Sequence, residues 1–183
     1  EILSARREPE DHVLVYQKAT TQADLLEILH AHPKQKFRVY GMKESGSHDN
    51  VALRPFSETA FVDDLRTARA VIGAAGYSLM GECVHLGVPM LTIPISGQFE
   101  QELNARYLAK LGYGRWSPIL TSELLRDFLD HTHEFQDSLD SYPRTDNAMT
   151  LQCVDEVCEA IAHGVPRLER LLSPNRGQFS GSI

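Results

Sequence analysis

AVIGAAGYSLMGECVHLGVPMLTIPI, residues 70–95, is the stretch that decides how the chain folds. Ala70 to Gly76 are all apolar or small. They read as a short strand covered on both faces, because a strand with one wet face alternates. Tyr77 to Gly87 read as a helix. Leu79, Cys83 and Leu86, with Met80 and Val84, share its core side, and Gly87 and Pro89 are the usual stop signals. Pro89 to Ile95 then read as the next strand. Strand, helix and strand joined by a few residues make a βαβ unit, which calls for a parallel sheet.

The same alternation extends outward. Upstream, 12–19, 37–42 and 50–56 read as strands, 23–32 and 58–68 as helices, and Gly46, Ser47, Asp49 and Asn50 as a turn. Downstream, 98–111 reads as a helix closed by Gly112 and Gly114. Beyond Trp116 no strand signal follows. Residues 121–135 and 150–164 read as helices, the first capped by Thr121 or Ser122, and 166–183 as a polar tail. The expected fold class is α/β: a Rossmann-like parallel sheet flanked by helices, with further helices at the C-terminal end.

Composition narrows the function. Of 183 residues, 42% are hydrophobic, enough for a sizeable core. Lys plus Arg number 18 against 25 Asp plus Glu, for a net charge of −7 and no basic run. That argues against a nucleic-acid partner. Cys83, Cys153 and Cys158 form no CxxC and read as buried thiols of a reducing, cytoplasmic setting. No run of about 18 apolar residues is present to span a membrane. The chain opens at Glu1 in a charged stretch without a methionine or a signal peptide, and it reads as a piece of something longer.

In an open parallel sheet, ligands bind outside the carboxyl ends of the strands, here the loops 17–21, 42–49, 56–58, 73–77 and 95–98. Gly73 to Gly76 lack bulky side chains, so the amides that open the following helix are bare, and with the helix dipole they suit a phosphate. Ser78, Glu82 and His85 follow at i, i+4 and i+7, on one face. Glu82 lies about 6 Å along the axis from the phosphate end, near the spacing of a nucleotide's phosphates and ribose. Its carboxylate can accept from both hydroxyls of a vicinal diol. The same stripe also fits a solvated face. Asp63-Asp64 reads as solvated, Trp116 as a packing anchor and His85 as surface. His30-x-His32 and His131-x-His133 diverge on helices, and no metal site is expected.

The ordered set Ala75, Gly76, Ser78, Glu82, Gly87, Pro89, Pro94, Gln98, Gln101, Asn104, Ala105, Leu108 and Gly112 resembles the C-terminal, donor-binding half of GT-B glycosyltransferases. The resemblance is closest to family 28, which includes the peptidoglycan N-acetylglucosaminyltransferase. It implies that Glu82 holds the ribose and that Ala75, Gly76, Tyr77 and Ser78 lie at the diphosphate. It puts Gln98, Glu100 and Gln101 at the donor sugar, and the base beside Phe56 and Ser57. Glu100-Gln101 stands where the relative has two glutamines, which leaves the sugar open. YQKATT (16–21) stands where a Gly/Ser-rich phosphate clamp is usual, so Gln17 or Lys18 would replace it.

The resemblance further implies a hexosyl transfer from a nucleotide sugar, UDP by precedent, with no cofactor. Residues 1–10 become a linker from a missing N-terminal domain, 11–165 the donor domain and 166–183 a tail. The missing domain or a partner chain would bring the acceptor site and the general base, so little turnover is expected from this part alone. Peripheral membrane association through that missing part stays open. Two other readings stand. Nucleotide-sugar 2-epimerases carry Ser-Gly-Gly and Glu-Glu where this chain has Ala74-Ala75-Gly76 and Gly81-Glu82. A non-catalytic GT-B-like module is the other.

Overall fold

A computed structural model describes residues 2–17, 22–144 and 148–162, in two compact units, Glu1–Pro143 and Arg144–Ile183. In the first unit seven strands form one sheet: β1 (His12–Tyr16), β2 (Lys36–Tyr40), β3 (Gly46–His48), β4 (Val51–Leu53), β5 (Ala70–Gly73), β6 (Met90–Thr92) and β7 (Gly114–Trp116). The order is β3-β4-β2-β1-β5-β6-β7, and every pairing is parallel except β3 with β4. Without the β3 hairpin this is the doubly wound order, whose winding reverses between β1 and β5.

Alternation along each strand feeds two cores. Val13, Val15, Phe37, Val39, Ala70, Ile72 and Leu91 point to one face. There they meet α1 (Leu25–His30), α5 (Ser122–Asp130) and α6 (Thr132–Asp140). Leu14, Tyr40, Val71 and Met90 point to the other. They meet α2 (Glu58–Thr67), α3 (Tyr77–Leu86) and α4 (Phe99–Lys110). All four residues of β5 are buried, as its unbroken apolar run predicts. Glu8 and Glu10 donate their amides to the carbonyls of Arg66 and Thr67, tying residues 8–10 to the end of α2.

Four expectations for this first unit need correction. First, 46–50 is not only a turn. Gly46–His48 pairs antiparallel with Val51–Leu53, and Asp49 takes a left-handed φ of 50° in the two-residue loop. The strand is wholly exposed, so it carries no apolar signal. Second, a strand exists where 112–114 looked only like a helix stop. Gly114 pairs with Met90, and any side chain at 114 would run into the Met90 carbonyl oxygen. Third, 121–135 is two helices. His131 (φ −105°, ψ 11°) ends α5, and the Thr132 hydroxyl donates to the Leu129 carbonyl. The break keeps Phe128 and Phe135 stacked, ring centroids 5.7 Å apart, within the core. Fourth, Asp64 is not solvated but 4% exposed. It accepts from Arg38 Nη1 at 2.6 Å and from the Tyr40 hydroxyl at 2.6 Å, while Asp63 is exposed.

The second unit contains α7 (Ala148–Ala162). Cys153 and Cys158 on it are exposed, against the expectation of core thiols, and only Cys83 is buried. No described helix is long and apolar enough to cross a membrane.

Candidate functional site

A cleft of about 720 Å³ opens at the carboxyl ends of β1 and β5, where the winding reverses. Its floor is Tyr16, Gln17, Ala74 and Gly76. One wall is the start of α3, with Tyr77, Ser78, Leu79 and Glu82, and the other is Phe56, Glu58, Phe61 and Val62. Ile2 and, from the far side, Ile95 and Gln101 complete it.

The start of α3 is built to stay open. Ser57 and Thr121 cap α2 and α5 with their side chains, accepting from Ala60 N and Leu124 N. Gly76 caps α3 with no side chain, and space is clear around it. The first amides of the helix therefore have no internal acceptor and carry the positive end of its dipole. The turn ahead is braced from outside the cleft, since Asn104 Nδ2 donates to the Ala75 carbonyl at 3.1 Å.

Glu82 stands one turn in, half-buried, with no hydrogen bond or ion pair to any described residue. Burial raises its carboxyl above the ordinary value of 4.5, and no charge partner offsets that. It faces the cleft as an acceptor without a donor.

Phe56 is 65% exposed and leans on a cluster of rings, 5.8 Å from Phe61, 6.4 Å from Tyr16 and 6.5 Å from Tyr40. Its outer face is free to stack. The Tyr40 phenol anchors the cluster on Asp64, and burial together with that bond pushes its ionisation far above the usual range.

Residues 1–132 match the family model described as Glycosyl transferase family 1. The chain belongs to glycosyl transferase family 1. An "Uncharacterized glycosyltransferase" of Methanosarcina acetivorans is 31% identical over 131 residues, which is 70% of this chain and 28% of that protein. The spinosyn rhamnosyltransferase SpnG, solved with thymidine diphosphate, superposes with a TM-score of 0.55 at 22% identity. That match covers 75% of this chain and 41% of SpnG. MurG of Acinetobacter baumannii gives 0.56 at 17% identity, covering 75% and 48%. The fold is thus that of GT-B glycosyltransferases, and the chain spans less than half the length of each of these relatives.

Within this glycosyltransferase family domain, the cleft gathers seven of the residues singled out in the sequence: Gln17, Phe56, Gly76, Tyr77, Ser78, Glu82 and Gln101. Four others do not line it. Ala75 is fully buried, with its carbonyl engaged by Asn104. Ser57 spends its hydroxyl on the cap of α2. Gln98 and Glu100, at the start of α4, are exposed and outside the lining. Lys18 lies outside the described residues. Gln101 does double duty, because its Oε1 accepts from Ile95 N at 3.0 Å and braces the loop it lines. Tyr16, Glu58, Phe61, Val62 and Ile2 line the cleft without having been singled out. The end of β1 and the start of α2 pointed to Tyr16 and Glu58, while Ile2 carried no signal. Three of the paired histidines are occupied elsewhere: His30 contacts Asn50 Oδ1 at 3.2 Å, His32 contacts the Ser122 hydroxyl at 2.9 Å, and His131 Nδ1 donates to the Asp127 carbonyl.

Proposed function

We propose that this domain binds the nucleotide-sugar donor of a glycosyltransferase that moves a hexosyl group, taking UDP as the nucleotide. The observation that carries the reading is the shared cleft of two unpartnered elements, the uncapped start of α3 and the Glu82 carboxylate. The amides of residues 77–79 receive the diphosphate, Glu82 accepts from the ribose hydroxyls, and the outer face of Phe56 stacks on the base. Gln101, with the segment 96–101 behind it, lies toward the sugar. When the anomeric carbon–oxygen bond breaks, its electron pair goes to the diphosphate, and the helix amides hold that growing charge. The acceptor oxygen bonds to the anomeric carbon and gives its proton to a base supplied from outside this chain.

The family match and the thymidine diphosphate complexed by SpnG support a nucleotide donor. The family 28 affinity rests on the ordered residues from Ala75 to Gly112, and the likeness to MurG, at 17% identity, is one of fold. Residues 11–165 form the donor domain in this reading, 1–10 a linker and 166–183 a tail, with a cytoplasmic enzyme completed by an N-terminal acceptor domain. Calorimetric titration with UDP, dTDP and GDP sugars tests it. Binding that is lost in Glu82→Ala is the expected result. Failure of all three nucleotides to bind refutes it.

A further inference from the structure

We propose that the outer face of α4 is a two-fold docking surface for a second copy of this chain, the two helices lying antiparallel. Phe99, Leu103, Tyr107 and Leu111 follow at steps of four and make one ridge, roughly 18 Å long. They are between 42% and 77% exposed, and neither core includes them. The opposite face of α4 is already engaged. Ala105 and Leu108 are buried, Gln101 accepts from Ile95 N, and Asn104 donates to the Ala75 carbonyl. Four large apolar residues in a row on a wet face form a patch, where scattered exposure would need no explanation.

The direction of α4 bears on what covers it. The helix leaves the rim of the cleft, which Gln101 lines, and runs back along the sheet, because β6 and β7 are parallel. A domain seated over the cleft would meet the Phe99 end. Tyr107 and Leu111 lie about 12 and 18 Å farther along the axis. Charge names the occupant. Glu100 and Glu102 stand in the first half of the helix, Arg106 and Lys110 in the second. Such a helix complements itself when turned end for end, as a two-fold contact requires. With the axis midway along the ridge, Leu103 meets Tyr107, Phe99 meets Leu111 and Glu100 comes beside Lys110, each pair made twice. Arg106 is engaged by Glu102 and lies over the Trp116 ring, which leaves Glu100 and Lys110 for the ion pairs. The antiparallel order also opposes the helix dipoles favourably. A ridge of this length is smaller than a standard interface, so the dimer is a weak one.

Sedimentation velocity on the chain, from about 1 to 300 µM, tests this for the wild type, Leu103→Glu, Glu100→Lys, Lys110→Glu and the double charge exchange, with thermal unfolding of each. The wild type should pass from monomer to dimer. The dissociation constant should rise at least about tenfold in Leu103→Glu, because a carboxylate would be buried against the facing ridge. Each single charge reversal should weaken the dimer about tenfold, since it sets like charges together twice. Exchanging both charges in one chain, or mixing the two single variants, should restore it. Melting temperatures should hold, because all three positions are exposed. Should Leu103→Glu melt lower, the charge exchange decides. A wild type that stays monomeric throughout overturns the proposal, and so does one whose α4 amides resist hydrogen exchange as a monomer, since something else then covers the ridge. A dimer that survives Leu103→Glu, or that the charge exchange does not restore, overturns it too. Growth beyond two copies also does, because a two-fold contact closes at two.

Discussion

Replacing Glu82 with alanine should cost about a hundredfold in affinity for a ribonucleoside diphosphate and almost nothing for its 2',3'-dideoxy analogue. A carboxylate that accepts from both hydroxyls of a diol makes two hydrogen bonds to a charged group, each ~1.5–3 kcal/mol. Glu82 is half-buried, so water competes and the lower figure applies to each, roughly 3 kcal/mol for the pair. At about 1.4 kcal/mol per decade this is near a hundredfold. Calorimetry with UDP and 2',3'-dideoxyuridine diphosphate on both proteins forms a cycle that isolates the diol. The wild type should prefer the ribose form by that factor, and the variant should not discriminate. Burial alone raises the Glu82 carboxyl, so it takes up a proton at higher pH than the ordinary 4.5. Ribose binding needs the ionised form, so the preference should grow as pH rises through the acid range and then level off. Glu82→Gln should be as stable as the wild type, because no internal partner is lost. A variant that keeps the ribose preference, or loses both ligands equally, refutes the reasoning.

Three further outcomes are expected. Asp64→Ala removes the buried carboxylate shared by Arg38 and Tyr40 and should cost about 3 kcal/mol in urea unfolding; a loss under about 1 kcal/mol would mean the network contributes little. Gly114→Ala places a methyl against the Met90 carbonyl in a paired strand and should cost about 3 kcal/mol or prevent folding, read from the unfolding midpoint; an unchanged midpoint would contradict the close pairing of β6 and β7. His12, 2% exposed, donates Nε2–H to the Asp64 carbonyl, with Arg38 and Glu10 nearby, and burial holds its pKa below 6.5. The unfolded chain therefore binds the extra proton first, so stability should be full above pH 6.5 and fall as pH drops below it. His12→Asn should flatten that part of the stability–pH curve, and an unchanged slope would exclude His12 as its source.

How much was legible varied with the source of each signal. β5, α3 and β6 were readable because one strand buried on both faces and one helix with a clean core stripe both write their burial into local periodicity. Gly76 and Glu82 were readable because a turn and a helix fix their spacing within a few residues. β3 was not readable, since its three residues are exposed and are held by β4 rather than by their own preferences. β7 was hidden for a related reason: Gly114 is required by the closeness of Met90, 24 positions away in the chain.

The chain's own order of residues thus determined the α/β alternation, the uncapped helix start and the carboxylate one turn inside it, all consequences of contacts a few residues apart. Only the tertiary structure decided that Phe56, Gln17, Glu82 and Gln101 meet in one cleft and that Gln98, Glu100 and Ser57 stay off it. It also decided that Asp64 is a buried anchor and not a wet neighbour of Asp63. Those facts depend on which strands lie side by side, and strand order is set by long-range packing that no local pattern encodes.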